Sequence, residues 1–359
     1  VPTVDIVVET QIAKSFRVDQ IKGMFDLPIK DKTSHSWKFD FPYDLDPTWR
    51  IGLIVGPSGS GKSTVARSVF GEYIQEGFEW SRDKAILDDF KTSDGVRDIV
   101  QALTSVGLSS PPSWCKPFAV LSNGEKFRVE LARAIVEGAD KGCVVIDEFT
   151  SVVDRTVAKV ASAAIAKAVR RREMKFVAVS CHYDIMDWLE PDWVLDMKTN
   201  AFVRRRLRRP KIDLEIASVD RSAWRIFAHH HYLSGRLHPG SKCYGGFWGD
   251  ELVVFVAVLP SLGHKGVRRV HRIVVLPDYQ GIGIGKAMLG AVGSIYRAKG
   301  NRLSIVSSHP GIIKGLASDH NWICRSYHKT GSRRHQGEKF RRVMGQPGVP
   351  LAGYEYVGS

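Results

Sequence analysis

Three short apolar runs stand out in the first half of the chain, each stopping abruptly at small or charged residues. Residues 51–55, 143–146 and 176–180 contain almost nothing but Val, Ile, Leu, Phe, Ala, Gly and Cys. Runs of that length without a polar break predict strands buried on both faces. After the first run, residues 65–70 predict the start of a helix. In the second half, residues 243–248 and 252–259 predict consecutive strands joined at Gly249-Asp250. Residues 270–275 and 303–307 predict two more. Between Asp196 and Ile216 an arginine run and Pro210 interrupt the apolar pattern, which places a domain boundary there.

The residues between these elements carry chemistry. The first strand leads into Gly56-Pro57-Ser58-Gly59-Ser60-Gly61-Lys62-Ser63-Thr64, and a helix follows. Strand, glycine-rich loop and helix in that order are what a phosphate-binding P-loop requires. Glycines let backbone N–H groups turn toward the phosphates, and the helix N-terminus adds partial positive charge. In this reading Gly56, Ser58, Gly59, Gly61 and Thr64 shape the loop around ATP. Lys62 reaches the β- and γ-phosphates, and Ser63 ligates Mg²⁺.

A second motif, Leu121-Ser122-Asn123-Gly124-Glu125 leading into Lys126-Phe127-Arg128, resembles the signature of ABC-type ATPases, with Asn123 and Glu125 as departures. In that family the helix N-terminus at Ser122 and Gly124 closes over ATP held by the P-loop of a second copy, so the resemblance implies a homodimer. The strand at 143–146 ends in Asp147-Glu148, which resembles a Walker B element. Asp147 would assist Mg²⁺ and Glu148 would polarise the attacking water. Ser151-Val152-Val153-Asp154 resembles the D-loop, and His182 matches the switch histidine. Between Lys62 and Leu121 no glutamine has the expected Q-loop placement. Gln75 and Gln101 both fall outside it, and Trp80-Ser81-Arg82-Asp83 stands in that region. Trp37, Phe39, Phe41 and Tyr43 compete as the aromatic that stacks on adenine.

The strand at 270–275 runs into Pro277-Asp278-Tyr279-Gln280-Gly281-Ile282-Gly283-Ile284-Gly285-Lys286. This is similar to the pyrophosphate loop of GNAT-type acyl-CoA N-acyltransferases. A dinucleotide site is the rival, but no acidic residue stands at the end of a following strand. The resemblance implies acetyl-CoA or another acyl-CoA, held by Gln280, Gly281, Gly283, Gly285 and Lys286. It also implies backbone contacts to pantetheine from Ile273, Val274 and Val275. Attack of an amine on a thioester needs a deprotonated amine and a protonated leaving thiolate. Candidates for that work are His229, His230, His231, Tyr232, Ser307, His309, Asp319 and Tyr327. The segments 227–232 and 307–313, with Asp319 beyond, resemble the Mom-type branch of GNAT proteins, phage enzymes that modify adenine in DNA. That resemblance implies iron; against it, three successive histidines cannot all face one ion.

Charge narrows the partners. With 52 Lys and Arg against 38 Asp and Glu, the net charge is +14, which favours an anionic partner such as nucleic acid. Arg204, Arg205, Arg206, Arg208 and Arg209 form the densest run and would grip phosphates, or else serve as a solvated linker. Five scattered cysteines without zinc spacing fit reduced thiols in a cytoplasm. No apolar stretch approaches membrane-spanning length.

The expected fold is α/β: a P-loop ABC ATPase domain followed by an α+β GNAT domain with a mixed, splayed sheet. The expected domains are 1–200 for the ATPase, 201–214 for a basic linker, 215–330 for the acyltransferase and 331–359 for a basic tail. The expected function is an ATP-dependent acyltransferase modifying a base or amine in nucleic acid, with DNA ahead of tRNA or other RNA. A protein or small-molecule acetyltransferase and a non-catalytic clamp are the alternatives.

Overall fold

The computed structural model describes residues 3–25, 32–44, 46–91, 93–204, 209–231, 236–261, 263–329 and 350–358. In chain order the elements are β1 (Thr3–Gln11), α1 (Phe16–Phe25), β2 (Lys32–Asp40), β3 (Ile51–Val55), α2 (Lys62–Phe70), β4 (Ile74–Gln75), α3 (Val96–Ser105), α4 (Pro111–Trp114), α5 (Asn123–Glu137), β5 (Cys143–Ile146), α6 (Arg155–Arg172), β6 (Lys175–Ser180), α7 (Met186–Leu189), β7 (Trp193–Asp196), β8 (Ala201–Arg204), β9 (Glu215–Ser218), α8 (Trp224–Phe227), β10 (Lys242–Trp248), β11 (Glu251–Pro260), β12 (Val267–Val275), α9 (Ile284–Ala298), β13 (Arg302–Ser307), α10 (Pro310–Ala317), β14 (Trp322–Lys329) and β15 (Pro350–Tyr356). They divide into two compact units. One holds Val1–Glu76, Gly138–Ser151 and Arg172–Arg208; the other holds Gly77–Glu137, Val152–Arg171 and Arg209–Ser359.

The first unit is built on a six-stranded sheet in the order β4-β5-β6-β3-β7-β8, with β1 and β2 as a separate antiparallel pair. All pairs in the large sheet are parallel except β7 with β8. The central strand β3 is buried at every residue, as its unbroken apolar run predicts. Phe41, Phe70, Trp49 and Trp193 interlock edge-on or stacked beneath it, Phe41 lying 5.3 Å from Trp193 at 79°. Gly52 belongs to that core because a Cβ there would enter the Trp193 ring.

The second unit carries a seven-stranded sheet in the order β14-β15-β13-β12-β11-β10-β9. Only β12 with β13 is parallel, so the sheet is mixed. β11 is its spine: residues 253–258 are fully buried, and Phe255 and Ala257 pack with Trp224, Phe227, Cys243 and Val274. The hairpin from β10 to β11 turns at Gly249, whose φ of 60° suits glycine. β12 pairs with β13 only from Val267 to Arg269, and its remaining residues diverge from β13. This is the splay expected of the sheet. Helices α3, α5 and α6 belong to the same unit. There Trp80, in the segment that stands where a Q-loop is expected, stacks on Phe118 at 4.6 Å, and the Arg133 guanidinium covers it at 4.8 Å.

One expectation needs correction. The stretch from 331 was read as a tail, yet Pro350–Tyr356 forms β15, paired on one side with β13 and on the other with β14. Its inward residues Ala352, Tyr354 and Tyr356 are buried, and Gly293 of α9 makes room for the Tyr356 ring. Residues 330–349 lie outside the described residues.

Candidate functional site

In the first unit the strand order brings the nucleotide motifs to one end of the sheet. The loop after β3 carries Gly59 at φ 78° and Gly61 at φ 87°, and α2 begins at Lys62. Both glycines adopt the left-handed region that other residues resist. Lys62 is buried, and its ammonium donates to the Pro57 carbonyl at 2.7 Å, inside the loop where phosphates would sit. At the end of β5, Asp147 Oδ1 accepts from Ser63 Oγ at 3.0 Å and from the Glu148 amide at 2.9 Å. A hydroxyl and a carboxylate held together in that way suit a hard cation, so these residues fit the Mg²⁺ that ATP would bring. Glu148 is exposed and strained at φ 53°, which turns its backbone out of the strand. Thr150, buried at φ 70°, places its hydroxyl 3.3 Å from His182 Nδ1. Ser180 fixes the same corner by donating to the Phe149 carbonyl and accepting from the His182 amide.

Gln75, set aside from the sequence, lies on β4 opposite Ile146, one residue before Asp147. A two-residue strand has no periodicity, so only its partner reveals it. Of the four aromatic candidates, Phe41 sits within the core cluster, and Tyr43 and Phe39 pack against it. Trp37 also borders that core, but its indole N–H donates to the Ser60 carbonyl at 3.0 Å and its ring lies against Gly61.

In the second unit, Ser122 and Gly124 stand at the start of α5. The Ser122 amide donates to Glu125 Oε2 at 2.9 Å and the Glu125 amide to Ser122 Oγ at 3.2 Å. This is a reciprocal capping box, and it explains the glutamate at that position. Glu125 also accepts from Ser113 Oγ. Burial pushes its carboxyl up, but the bonds from Ser122 and Ser113 outweigh that and hold it below its ordinary pKa.

The glycine-rich loop that resembles a pyrophosphate site connects β12 to α9. Ile273, Val274 and Val275 occupy the diverging end of β12. Gly281 at φ 91° and Gly283 at φ 98° both adopt left-handed backbone, and Gly283 stands directly before the helix. A Cβ on Gly283 would meet nothing within 4 Å, so the loop faces open space there, and the amides of the first turn of α9 fit an anion. The loop's first residues have other duties. Gln280 Oε1 accepts from the Ser109 amide at 2.9 Å and its Nε2 donates to the Val275 carbonyl at 2.9 Å. A Cβ on Gly281 would press on Gly107 and Ala164 at 3.0 Å.

The acyl-transfer candidates scatter. His230 lies in the turn after α8, where burial and the adjacent His229, 3.8 Å away ring to ring, keep its pKa below the usual histidine value. Tyr232 lies outside the described residues. Ser307 ends β13 and accepts from the His309 amide at 3.1 Å. His309 uses both ring nitrogens: Nε2 contacts the Ser109 carbonyl at 2.8 Å and Nδ1 accepts from the Gly311 amide at 3.2 Å. Asp319 pairs with Lys286 at 3.1 Å and caps the Asn321 amide; burial raises its pKa, but these two partners hold it below normal. Tyr327 is exposed on β14. Among the described residues, no group of three or more His, Cys, Asp or Glu could hold a metal such as iron. Arg204 is exposed beside Asp46, 3.7 Å away, and donates to the Pro42 carbonyl. Arg205, Arg206 and Arg208 lie outside the described residues, and Arg209 begins the second unit's final segment.

Two family models match the chain, each across residues of both units. The model of the AAA domain matches residues 47–178, and that of the acetyltransferase (GNAT) family matches residues 184–310. The chain therefore carries a P-loop ATPase domain and a GNAT acetyltransferase domain, and both are enzymatic types. No curated protein matches it in sequence. Among solved structures it resembles a dimeric ATP-binding cassette bound to ADP and Pi, at 14 % identity over 44 % of this chain and 86 % of that one, with a TM-score of 0.36. It also resembles a Bacillus acetyltransferase in complex with CoA, at 15 % identity over 42 % of this chain and 100 % of that one, TM-score 0.30. The ribosomal-protein-S18-alanine N-acetyltransferase from Escherichia coli is similar at 14 % identity over 41 % of this chain and 96 % of that one, TM-score 0.31. No described helix is long and apolar enough to cross a membrane.

Proposed function

We propose that this chain is an ATP-dependent N-acyltransferase whose acceptor is a base or amine of nucleic acid, DNA before RNA. The observation that carries the acyl-transfer part is the open Gly283–α9 turn at the foot of a strand that leaves its neighbour, in one polypeptide with a P-loop whose Ser63 and Asp147 converge. Charge favours the nucleic-acid part, the net being +14. In this reading the P-loop sheet carries the ATPase work and the mixed sheet, β15 included, carries the acyl transfer. Two copies close on ATP through Ser122 and Gly124, and the closed pair presents the acceptor to acetyl-CoA or a related thioester. Extruding a base costs a few kcal/mol, which gives ATP a task. A cytoplasmic setting fits the five unbridged cysteines.

The chemistry is one displacement. The amine nitrogen attacks the thioester carbonyl carbon, the C–S bond breaks, the nitrogen loses a proton to a base and the CoA thiolate takes one up. His230, in the turn after α8, is the candidate for the base; burial and the adjacent His229 keep its pKa below the usual histidine value. The test is intact-mass analysis of nucleosides from the DNA and RNA of cells expressing the wild type or Lys62→Ala. A heavier nucleoside present only with the wild type supports the reading and identifies the acyl group. Unmodified pools with both proteins expressed would move the acceptor to a protein or small-molecule amine.

A further inference from the structure

The turn that opens the acyl-CoA loop is held by a residue of the signature helix. Arg128 lies on α5, one helical turn beyond Gly124, and is wholly buried. Its Nη2 donates to the Asp278 carbonyl at 3.1 Å, and its Nη1 lies 3.6 Å from Asp278 Oδ1. The charges of Asp154 and of Glu125 in the capping box both favour the charged guanidinium. Asp154 accepts the Thr156 and Val157 amides at the start of α6. A buried cation is costly unless its donors are engaged, yet Nε and Nη1 of Arg128 make no hydrogen bond here. Nη1 thus has only the long 3.6 Å ion pair with Asp278, and Nε has room for a further acceptor.

The contact continues along the loop. Tyr279, next after Asp278, donates its hydroxyl to Glu251 on β11. Gln280 takes the Ser109 amide, and Ser109 gives its carbonyl to His309. A Cβ on Gly107 would collide with the Gln280 carbonyl at 2.6 Å, and one on Gly281 would press on the Gly107 backbone at 3.0 Å. Neither glycine is explained by acyl-CoA; both are explained by the segment after α3 lying against the loop.

We propose that Arg128 is a positioning residue for acyl-CoA, and that through Asp278 and Gln280 it couples events at the N-terminus of α5 to the pyrophosphate loop. This rests on the acyl-CoA reading of that loop. A helix moves as a rigid rod, so a shift at Ser122 and Gly124 is carried one turn on to Arg128. A phosphate arriving there competes with Glu125 for the amides of the capping box, and a displaced Glu125 is an acceptor for the idle donors of Arg128. The loop binds through backbone N–H groups, whose hydrogen bonds weaken steeply with misalignment. Small displacements of Asp278 and Gln280 therefore change acyl-CoA affinity.

Calorimetry on the full chain tests this. Acetyl-CoA is titrated with and without Mg²⁺ and a non-hydrolysable ATP analogue, into wild type, Arg128→Lys and Asp278→Asn. In the wild type the analogue changes the acetyl-CoA Kd by about five-fold or more, and acetyl-CoA changes the analogue's Kd by the same factor, as linkage requires. In both variants that factor falls toward one, because lysine lacks the planar fork and asparagine lacks the charge. A merely structural Arg128 would lower Tm and leave the factor intact. Should Arg128→Lys fail to fold, Asp278→Asn still reports, since that side chain is 54 % exposed. A factor of one in the wild type, or an unchanged factor in the folded variants, overturns the coupling. No acetyl-CoA binding under any condition overturns the acyl-CoA reading itself, and the coupling with it.

Discussion

The two glycine-rich loops share a backbone plan and differ in what surrounds it. In each, a strand ends and a glycine of positive φ stands directly before a helix: Gly61 at 87° before α2, Gly283 at 98° before α9. Around the first loop the neighbours are an ammonium, a hydroxyl and a carboxylate arranged for phosphate and metal. Around the second, Gln280 and Gly281 belong to packing against the segment after α3 and against α6, whereas nothing stands within 4 Å of a Cβ on Gly283. Glycine content therefore marks a phosphate loop without showing which glycine meets the phosphate.

The largest expected difference between the loops is chemical. Lys62→Ala removes the only side-chain cation inside the first loop and should cut ATP turnover by about 100-fold or more, as loss of a preorganised charge partner does. Phosphate release measures it, and turnover within three-fold of wild type would detach Lys62 from the chemistry.

The next difference is steric. Gly61→Ala forces a left-handed alanine into the Trp37 ring and should cost about 3 kcal/mol. Gly281→Ala meets Gly107 and Ala164 at 3.0 Å and should cost about 2 kcal/mol. Gly283→Ala pays only the backbone strain, about 1 kcal/mol, since nothing stands near its Cβ, but it should weaken acetyl-CoA binding. Urea melts order the three. If Gly283→Ala proved the most destabilising, the assignment of Gly281 to packing and Gly283 to the ligand would be reversed.

Much of this architecture was legible because its central strands are continuous apolar runs. β3 was bounded to the residue, and β5, β6, β10, β11 and β13 to within one or two at each end. β12 begins three residues earlier than its apolar run, with Arg268 and Arg269 inside it. The illegible parts are of two kinds. Some elements are too short or too plain: β4 is two residues, and β15 carries Gly353 and Glu355 beyond a basic stretch. Others are long-range pairings, such as Arg128 with Asp278 and Ser109 with His309, which leave no periodicity and no motif. Ser122 and Glu125 fall between: Ser-x-x-Glu before a helix is itself the mark of a capping box.

The smallest expected effect separates the strands that feed the two loops. β3 has no titratable side chain, whereas β12 carries His271, whose Nε2 is enclosed without a hydrogen bond and whose Nδ1 lies 3.3 Å from Arg272 Nη1. Burial first, then Arg272, Arg269 and His238, push its pKa down to about 4 from 6.5. The folded state thus refuses a proton that the unfolded state accepts. Between pH 6.5 and 4 the unfolded chain binds more protons, so this histidine's contribution to stability is present above that window and is lost as pH falls through it. His271→Asn should remove the contribution, so that Tm falls less between pH 7 and 4.5 than in the wild type, by about 3 °C. The ring is partly solvated, which keeps the difference small. Parallel Tm profiles for the two proteins would mean that His271 titrates normally, and that the strand leading to the acyl-CoA loop is as indifferent to pH as the one leading to the P-loop.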